Sequence, residues 1–218
     1  DLLPGLATFT AGLLTQGTKT RTATEIAETI DHIGGTLAAS ADMETTVVST
    51  SVLKEQTSVA FELMRDVVIN PAFKQEEIDR LKMQAASNLA ANLEDAKYVA
   101  DSVFMRALYG GHRYGHPEDG TPTSLPAISR DRILKFHNTF YAPNIAALAI
   151  VGDISGPEAF RLAEKYFGDW KRKTVPSRSQ IPPPVSKGRK IIVIDKPDEI
   201  GRATSELQSH LNLVCRLL

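Results

Sequence analysis

Two histidines, His112 and His116, have the spacing of metal ligands on a helix. Side chains four residues apart lie on one helical face, where two imidazoles can share one zinc ion. Glycine and proline residues surround this pair, however, so the segment is predicted to be a loop. Neither H-x-x-E-H nor H-E-x-x-H, the two helical zinc motifs, occurs anywhere in the chain. We therefore expect these histidines to be structural.

The other reactive side chains also lack the surroundings of a catalytic site. The single cysteine, Cys215, excludes an internal disulfide and a cysteine-based zinc site. No serine stands in a G-x-S-x-G turn, and no glycine-rich phosphate loop follows a strand. His32 suits the end of a helix, and His137 is flanked by aromatic residues typical of packing. Asp153 follows an apolar run and fits a turn.

Composition sets broad limits on the function. The chain has 218 residues, 42% of them apolar, and a net charge of −1. Nucleic-acid binding usually requires a clearly basic face. A net charge of −1 does not favour that function. No apolar run approaches the roughly 20 residues that span a bilayer. The length predicts one large domain or two small ones.

The first quarter of the chain predicts two helices followed by a β-hairpin. A helix over about Pro4–Gln16 is expected to end at Gly17. A second helix begins with Thr22 and Glu25 at capping-box spacing. The β-branched stretch Thr36–Leu53 then predicts two strands joined by a turn near its middle.

The rest of the chain predicts further helices and two apolar strands. The helices are expected over Lys54–Ile69, Gln75–Leu108 with a break near Asp95, Ser129–Tyr141 and Pro157–Phe167. The strands are Asn144–Ile154, expected to be buried on both faces, and Lys190–Pro197. A short helix is expected over Ser205–Leu218.

These elements predict an α+β fold with a mixed, largely antiparallel sheet and helices packed on one face. We assign residues 1–170 to an N-terminal domain. Residues 171–189, rich in proline and basic residues, form a linker. Residues 190–218 supply a strand and a tail that would begin a second domain.

Several co-ordered segments carry a resemblance to a known family. They are "GLATFTAGLLTQGTKT", "TIDHIGGTLAASADMETTVVSTSVLKE", "VINPAFKQEEIDR", "ALYGGHRYGHP" and "FHNTFYAPNIAALAIVGDI". Together, over about Gly5–Pro197, they resemble the insulinase/pitrilysin zinc peptidases, in particular subunits similar to mitochondrial processing peptidase. The resemblance implies a metalloendopeptidase-like α/β roll that forms the first domain of a two-domain subunit.

Active members of that family hold zinc through H-x-x-E-H on the first helix and a distant glutamate on a later one. Matched to this sequence, the two histidine positions are Thr8 and Gly12, and the general-base position is Ala11. The distant glutamate falls near Asn88. All four positions are degenerate, so we predict no catalytic, cofactor-binding or metal residue in this chain.

The resemblance implies a catalytically inactive subunit that pairs with a zinc-bearing partner and encloses unfolded peptides in a chamber. The zinc is expected in that partner, and a homo-oligomer is the alternative assembly. Two other functions stay open: an active zinc peptidase with misplaced ligands, and a structural scaffold without a proteolytic partner.

Two departures from the family pattern accompany the resemblance. One or two strands normally precede the first helix, and a second domain normally follows Pro197; this sequence shows neither, so we expect a fragment or a truncated product. The bacterial character of the matched segments gives a periplasmic or exported location as our expectation.

Overall fold

The computed structural model describes residues 3–177, 190–195 and 212–217. Seven α-helices and four strands lie in this part of the chain, and short 3₁₀ turns connect some of them. The helices are α1 (Leu6–Leu14), α2 (Ala23–His32), α3 (Thr57–Ile69), α4 (Gln75–Glu94), α5 (Ala96–Tyr109), α6 (Arg130–Phe140) and α7 (Gly156–Phe167). The strands are β1 (Thr36–Ala41), β2 (Thr46–Ser51), β3 (Lys190–Asp195) and β4 (Asn212–Leu217).

Helix α1 lies at the centre of the hydrophobic core. Phe9, Leu13 and Leu14 are buried on it and pack with apolar side chains of α2, α3, α4 and α6. The helix ends just before Gly17, whose φ of 114° is a left-handed conformation that glycine adopts without strain. The predicted helix and its glycine stop are confirmed.

Helix α2 and the hairpin follow their predicted local signals. Thr22 and Glu25 form a complete capping box at the start of α2. Strands β1 and β2 pair antiparallel, with Thr36 opposite Ser51 and Ala41 opposite Thr46. The side chains that face the helices are Leu37, Ala39 and Val48, and they pack against the core.

The long helical stretch is broken where the sequence predicts. The Asp95 carboxylate accepts a hydrogen bond from the Tyr98 backbone N–H at 3.0 Å. This contact caps α5 as a new helix directly after α4 ends. Helix α4 packs on α1, and α5 contacts α4 and the 3₁₀ turn that follows α5.

Two predicted elements are wrong. The apolar segment 146–151 forms neither helix nor strand and pairs with no strand in the described part of the chain, and Val151 is 97% exposed. An extended segment becomes a strand only where a neighbour supplies backbone partners, and none is described beside this one. The described part of the predicted terminal helix is strand β4, which pairs with β3. The linker prediction falls largely on residues 178–189, outside the described residues.

The predicted fold class is confirmed as mixed helices with a small antiparallel sheet. Helices cover one face of the β1–β2 hairpin, and the other face is exposed. Among the described helices, none combines the length and apolar character that crossing a membrane would require.

Candidate functional site

Three positions on α1, Thr8, Ala11 and Gly12, are those that the resemblance assigns to zinc chemistry. We call the face that they form the outer face, although α4 and a loop pack on it. The half-buried Thr8 hydroxyl donates a hydrogen bond to the Glu118 carbonyl at 2.9 Å. Ala11 is fully buried and Gly12 offers no side chain. A Cβ built on Gly12 would lie 3.5 Å from Leu81 Cδ2, so α4 packs directly over this position. Thr8 therefore fastens a loop to the helix.

The fourth position lies on α4 but does not face the core. Asn88 is exposed, whereas the neighbouring Leu89 is buried. Leu81, Ala85 and Leu89 form the face of α4 that packs against the core. These contacts do not test the prediction that Asn88 stands where active relatives have the distant glutamate.

These side chains do not fit a zinc ion. Zinc sites in proteins use thiolate, imidazole or carboxylate donors. Thr8 already donates its hydroxyl proton, and Ala11 and Gly12 contribute no donor atom. Within residues 3–177 and the described strand segments, no group of three or more His, Cys, Asp and Glu is placed to hold a metal ion.

The two histidines with metal spacing lie in a loop, as predicted, and Nδ1 of each ring has a local contact, whereas His116 Nε2 is buried without a hydrogen-bond partner in the described chain. His112 Nδ1 accepts a hydrogen bond from the Tyr114 backbone N–H at 3.2 Å and caps a 3₁₀ turn. His116 Nδ1 lies 3.2 Å from the Pro117 carbonyl oxygen. The pair therefore shapes the loop that follows α5.

His137 is a packing residue, as predicted. Its ring stacks on Tyr141 with centroids 4.5 Å apart, and Nε2 lies 2.8 Å from the Val68 carbonyl oxygen. Burial lowers the pKa of His137, the bond to Val68 opposes that shift, and Lys173 and Lys19 add to it. The neutral imidazole therefore donates to Val68 and joins α6 to the end of α3.

The free edge of β1 is the first feature that could hold a peptide. The Asp42 N–H donates to the Thr45 carbonyl at 2.9 Å, so this pair closes the hairpin. Alternation along an antiparallel ladder then turns the backbone N–H and C=O groups of Leu37, Ala39 and Ala41 away from β2. Within the described chain, no backbone group bonds to them. Such an edge can accept an added strand.

An open cleft of about 510 Å³ lies at the hairpin tip, where β1 ends. Its apolar lining includes Met43, Tyr98, Met105 and Tyr114. Its carboxylates are Asp95, Asp101, Glu118 and Asp119. The one lysine in the lining, Lys97, pairs with Asp101 at 2.6 Å, so carboxylates outnumber cations in the cleft. The cleft is therefore suited to an extended peptide with a basic side chain.

A buried polar network stands at the opposite end of α1. Asp66 Oδ2 accepts hydrogen bonds from Thr18 Oγ1 at 2.6 Å, Thr20 Oγ1 at 3.0 Å and Arg21 Nη1 at 3.1 Å. Asn70 Nδ2 donates to Asp66 Oδ1 at 3.1 Å. Burial of Asp66 opposes ionisation, but the hydrogen bonds outweigh it and lower the pKa of the carboxyl.

Sequence reasoning missed both this network and the β1 edge. The run "TKTRT" after Gly17 concentrates hydroxyl donors at a helix end and is the only local sign of the network. The acceptor, Asp66, lies 48 residues from Thr18, and that separation hides it in the sequence. The sequence does not reveal the free edge of β1 either, because alternating apolar and polar residues do not show which strands pair on both edges.

Comparison with known proteins identifies the family of the chain. Residues 1–119 match the family model described as insulinase (peptidase family M16), and residues 127–212 match the one described as peptidase M16 inactive domain. An uncharacterised zinc protease of Mycobacterium leprae is 31% identical over 85% of this chain and 41% of its own length. The mitochondrial-processing peptidase subunit alpha of Neurospora crassa is 27% identical over 83% of this chain and 31% of its own length.

A solved structure shares the fold. The crystal structure of a peptidase M16 inactive domain from Pseudomonas fluorescens matches with a TM-score of 0.78 and 26% identity, over 84% of this chain and 45% of that one. The chain thus spans less than half the length of these relatives. The insulinase family model covers more than half of this chain, and the family is the one that the sequence was predicted to resemble. The chain therefore belongs to the insulinase family of peptidases, family M16.

Proposed function

We propose that this chain is part of a non-catalytic peptidase-family subunit that holds extended peptides along the free edge of β1. The observation that carries the proposal is the contrast between that open edge and the neighbouring face of α1, where Thr8, Ala11 and Gly12 provide no imidazole, thiolate or carboxylate. Backbone groups at Leu37, Ala39 and Ala41 would pair with a peptide strand. No side chain at Thr8, Ala11 or Gly12 would activate a water molecule for its hydrolysis.

The proposal includes a partner that carries the zinc. The relative from Neurospora crassa is named as one subunit of a processing peptidase, and this family works in multi-subunit complexes. In such a pair, this chain would present the peptide and the partner would cleave it. The carboxylates of the cleft would favour peptides with Lys or Arg near the end of β1.

The first experiment measures peptide binding by fluorescence anisotropy. The probe is a fluorescein-labelled decapeptide of alternating Val and Lys, and a version methylated at alternate backbone nitrogens is the peptide control. The variant Ala39→Pro removes an outward N–H but leaves the β1–β2 ladder intact. Thr46→Pro, at an outward position on β2, is the matched control. Binding should be lost with Ala39→Pro and with the methylated peptide, and retained with Thr46→Pro.

A second measurement separates the alternatives. The metal content of the purified chain after dialysis, together with cleavage of the same decapeptide, tests for an active zinc enzyme. About one zinc per chain with cleavage would overturn the proposal. A chain without zinc that binds no peptide would favour the scaffold function instead.

A further inference from the structure

The tip of the hairpin is joined to the loop after α5 by a side-chain contact across 70 residues of sequence. Tyr114 Oη donates to Glu44 Oε1 at 2.5 Å, and Arg113 Nη1 lies 3.4 Å from the same carboxylate. We call these three residues the clasp. Tyr114 also lines the cleft, and so does Met43, which precedes Glu44 in the chain. The clasp therefore lies where the β1 edge meets the cleft.

Both halves of the clasp are locally rigid. Within the hairpin turn, Asp42 Oδ1 accepts the backbone N–H groups of Glu44 and Thr45, each at 2.7 Å. This turn fixes the backbone from which the Glu44 side chain extends.

The loop that carries Tyr114 is equally constrained. The Tyr114 ring packs on His112 at 4.8 Å and edge-on against Tyr109 at 5.5 Å between centroids. A Cβ at Gly115 would collide with the Gly110 carbonyl oxygen, so the loop closes tightly on itself. The Tyr114 hydroxyl is therefore presented by a fixed support.

The hairpin depends on such a tether. A two-stranded hairpin is marginally stable by itself in water. Here one face packs through Leu37, Ala39 and Val48, and the other is exposed. These three side chains lie before and after the tip at Asp42–Thr45, where Met43 lines the cleft. In the described chain, the clasp connects that tip to the loop after α5.

We propose that Tyr114, Arg113 and Glu44 are positioning residues that hold the β1 edge in the geometry needed to receive a peptide strand. This inference rests on the proposed function. A strand that is already fixed loses less conformational freedom on binding, so the clasp should strengthen peptide affinity by holding the β1 edge in place. Because the clasp is partly exposed, its loss should change affinity more than global stability.

The test combines hydrogen–deuterium exchange of the free chain with binding of the Val/Lys decapeptide. Tyr114→Phe removes only the hydroxyl, and Glu44→Ala removes the acceptor. Glu44→Gln keeps an acceptor for Tyr114 and is the conservative rescue. Tyr109→Phe is the matched control, because it removes a neighbouring tyrosine hydroxyl outside the clasp.

Tyr114→Phe and Glu44→Ala should each weaken binding by about three- to tenfold, and the double variant should add little to either. Amides of residues 36–46 should exchange faster in both, with the melting temperature nearly unchanged. Glu44→Gln and Tyr109→Phe should resemble the wild type. Unchanged exchange and affinity in Tyr114→Phe would overturn the inference.

Failure of the proposed function gives a different result. If the wild type binds no decapeptide while the two clasp variants still exchange faster at residues 36–46, then the peptide site is wrong and the tether is real. If the wild type binds and the variants lose affinity only in proportion to a fall in melting temperature, the clasp supports the fold generally and the positioning role is wrong.

Discussion

The outer face of α1 and the turn that follows the helix differ in how completely their polar groups are used. On the outer face, Thr8 makes one hydrogen bond to a loop carbonyl, and Ala11 and Gly12 contribute no polar side chain. At the turn, the Asp66 carboxylate of α3 accepts hydrogen bonds from Thr18, Thr20 and Arg21 of the turn, and a fourth from Asn70 at the end of α3. Both regions belong to the frame of one helix, yet only the turn depends on specific polar chemistry.

The difference shows which parts of the frame the fold itself requires. A buried carboxylate needs its donors, because an unsatisfied polar group in the core costs free energy. Positions on the outer face need only side chains that fit the available space. The family's zinc positions can therefore be occupied by Thr, Ala and Gly while the helix, its glycine stop and its polar anchor persist.

The largest effect on stability is expected when a carboxylate is placed at Ala11. This position is fully buried, and the part of the chain that the structure describes holds no group of metal ligands that could bind an ion beside a new carboxylate. Ala11→Glu should lower the free energy of unfolding by about 3 to 5 kcal/mol, as expected for an uncompensated buried charge. Urea denaturation measures the loss. A variant as stable as the wild type would show that the outer face still accommodates the catalytic glutamate of active relatives.

The next largest effect is expected at the polar anchor. Asp66→Ala leaves Thr18 and Asn70 without their acceptor and should cost about 2 kcal/mol or more. Thermal unfolding monitored by circular dichroism measures the change. Asp79→Ala, which removes an exposed carboxylate that accepts from Gln75, is the control and should change stability by less than about 0.5 kcal/mol. Equal effects of the two substitutions would show that the hydrogen bonds of Asp66 contribute no more to stability than those of an exposed carboxylate.

The same anchor predicts a pH dependence. The folded-state pKa of Asp66 lies below its ordinary value of 3.8, so its contribution to stability is fully present above that value. It is lost as the pH falls through the folded-state pKa. Unfolding free energies measured from pH 6 down to pH 2.5 should fall more steeply for the wild type than for Asp66→Asn below about pH 4. Parallel curves for the two proteins would contradict the assignment.

The smallest expected effect is a gain in stability. A Cβ at Gly12 would make an ordinary contact with Leu81, and alanine favours a helix over glycine by about 0.8 to 1.0 kcal/mol. Gly12→Ala should therefore stabilise the chain by somewhat less than about 1 kcal/mol. Gly17→Ala is the matched control and should destabilise it, because φ is 114° there. Destabilisation by Gly12→Ala would show that the contact between α1 and α4 leaves no room for a Cβ, contrary to the 3.5 Å separation from Leu81 Cδ2.

Local signals in the sequence determined most of the secondary structure and the family. The Thr22–Glu25 capping box, the glycine after α1 and the break at Asp95 act through neighbouring residues, so their outcome could be predicted from spacing alone. The assignment of Thr8, Ala11, Gly12 and Asn88 to degenerate zinc positions stays a prediction, made from the sequence once the resemblance supplies the pattern.

Only the tertiary structure decided which extended segments form strands and which polar groups meet. Among the described residues, the segment 146–151 has a strand-like composition but pairs with no strand, and β1 pairs with β2 on one edge while no described backbone group bonds to its other edge. The contacts between Asp66 and Thr18 and between Glu44 and Tyr114 join residues far apart in the chain. Local propensity acts over a few residues, but strand pairing and buried hydrogen bonds depend on which distant segments the packed helices bring together.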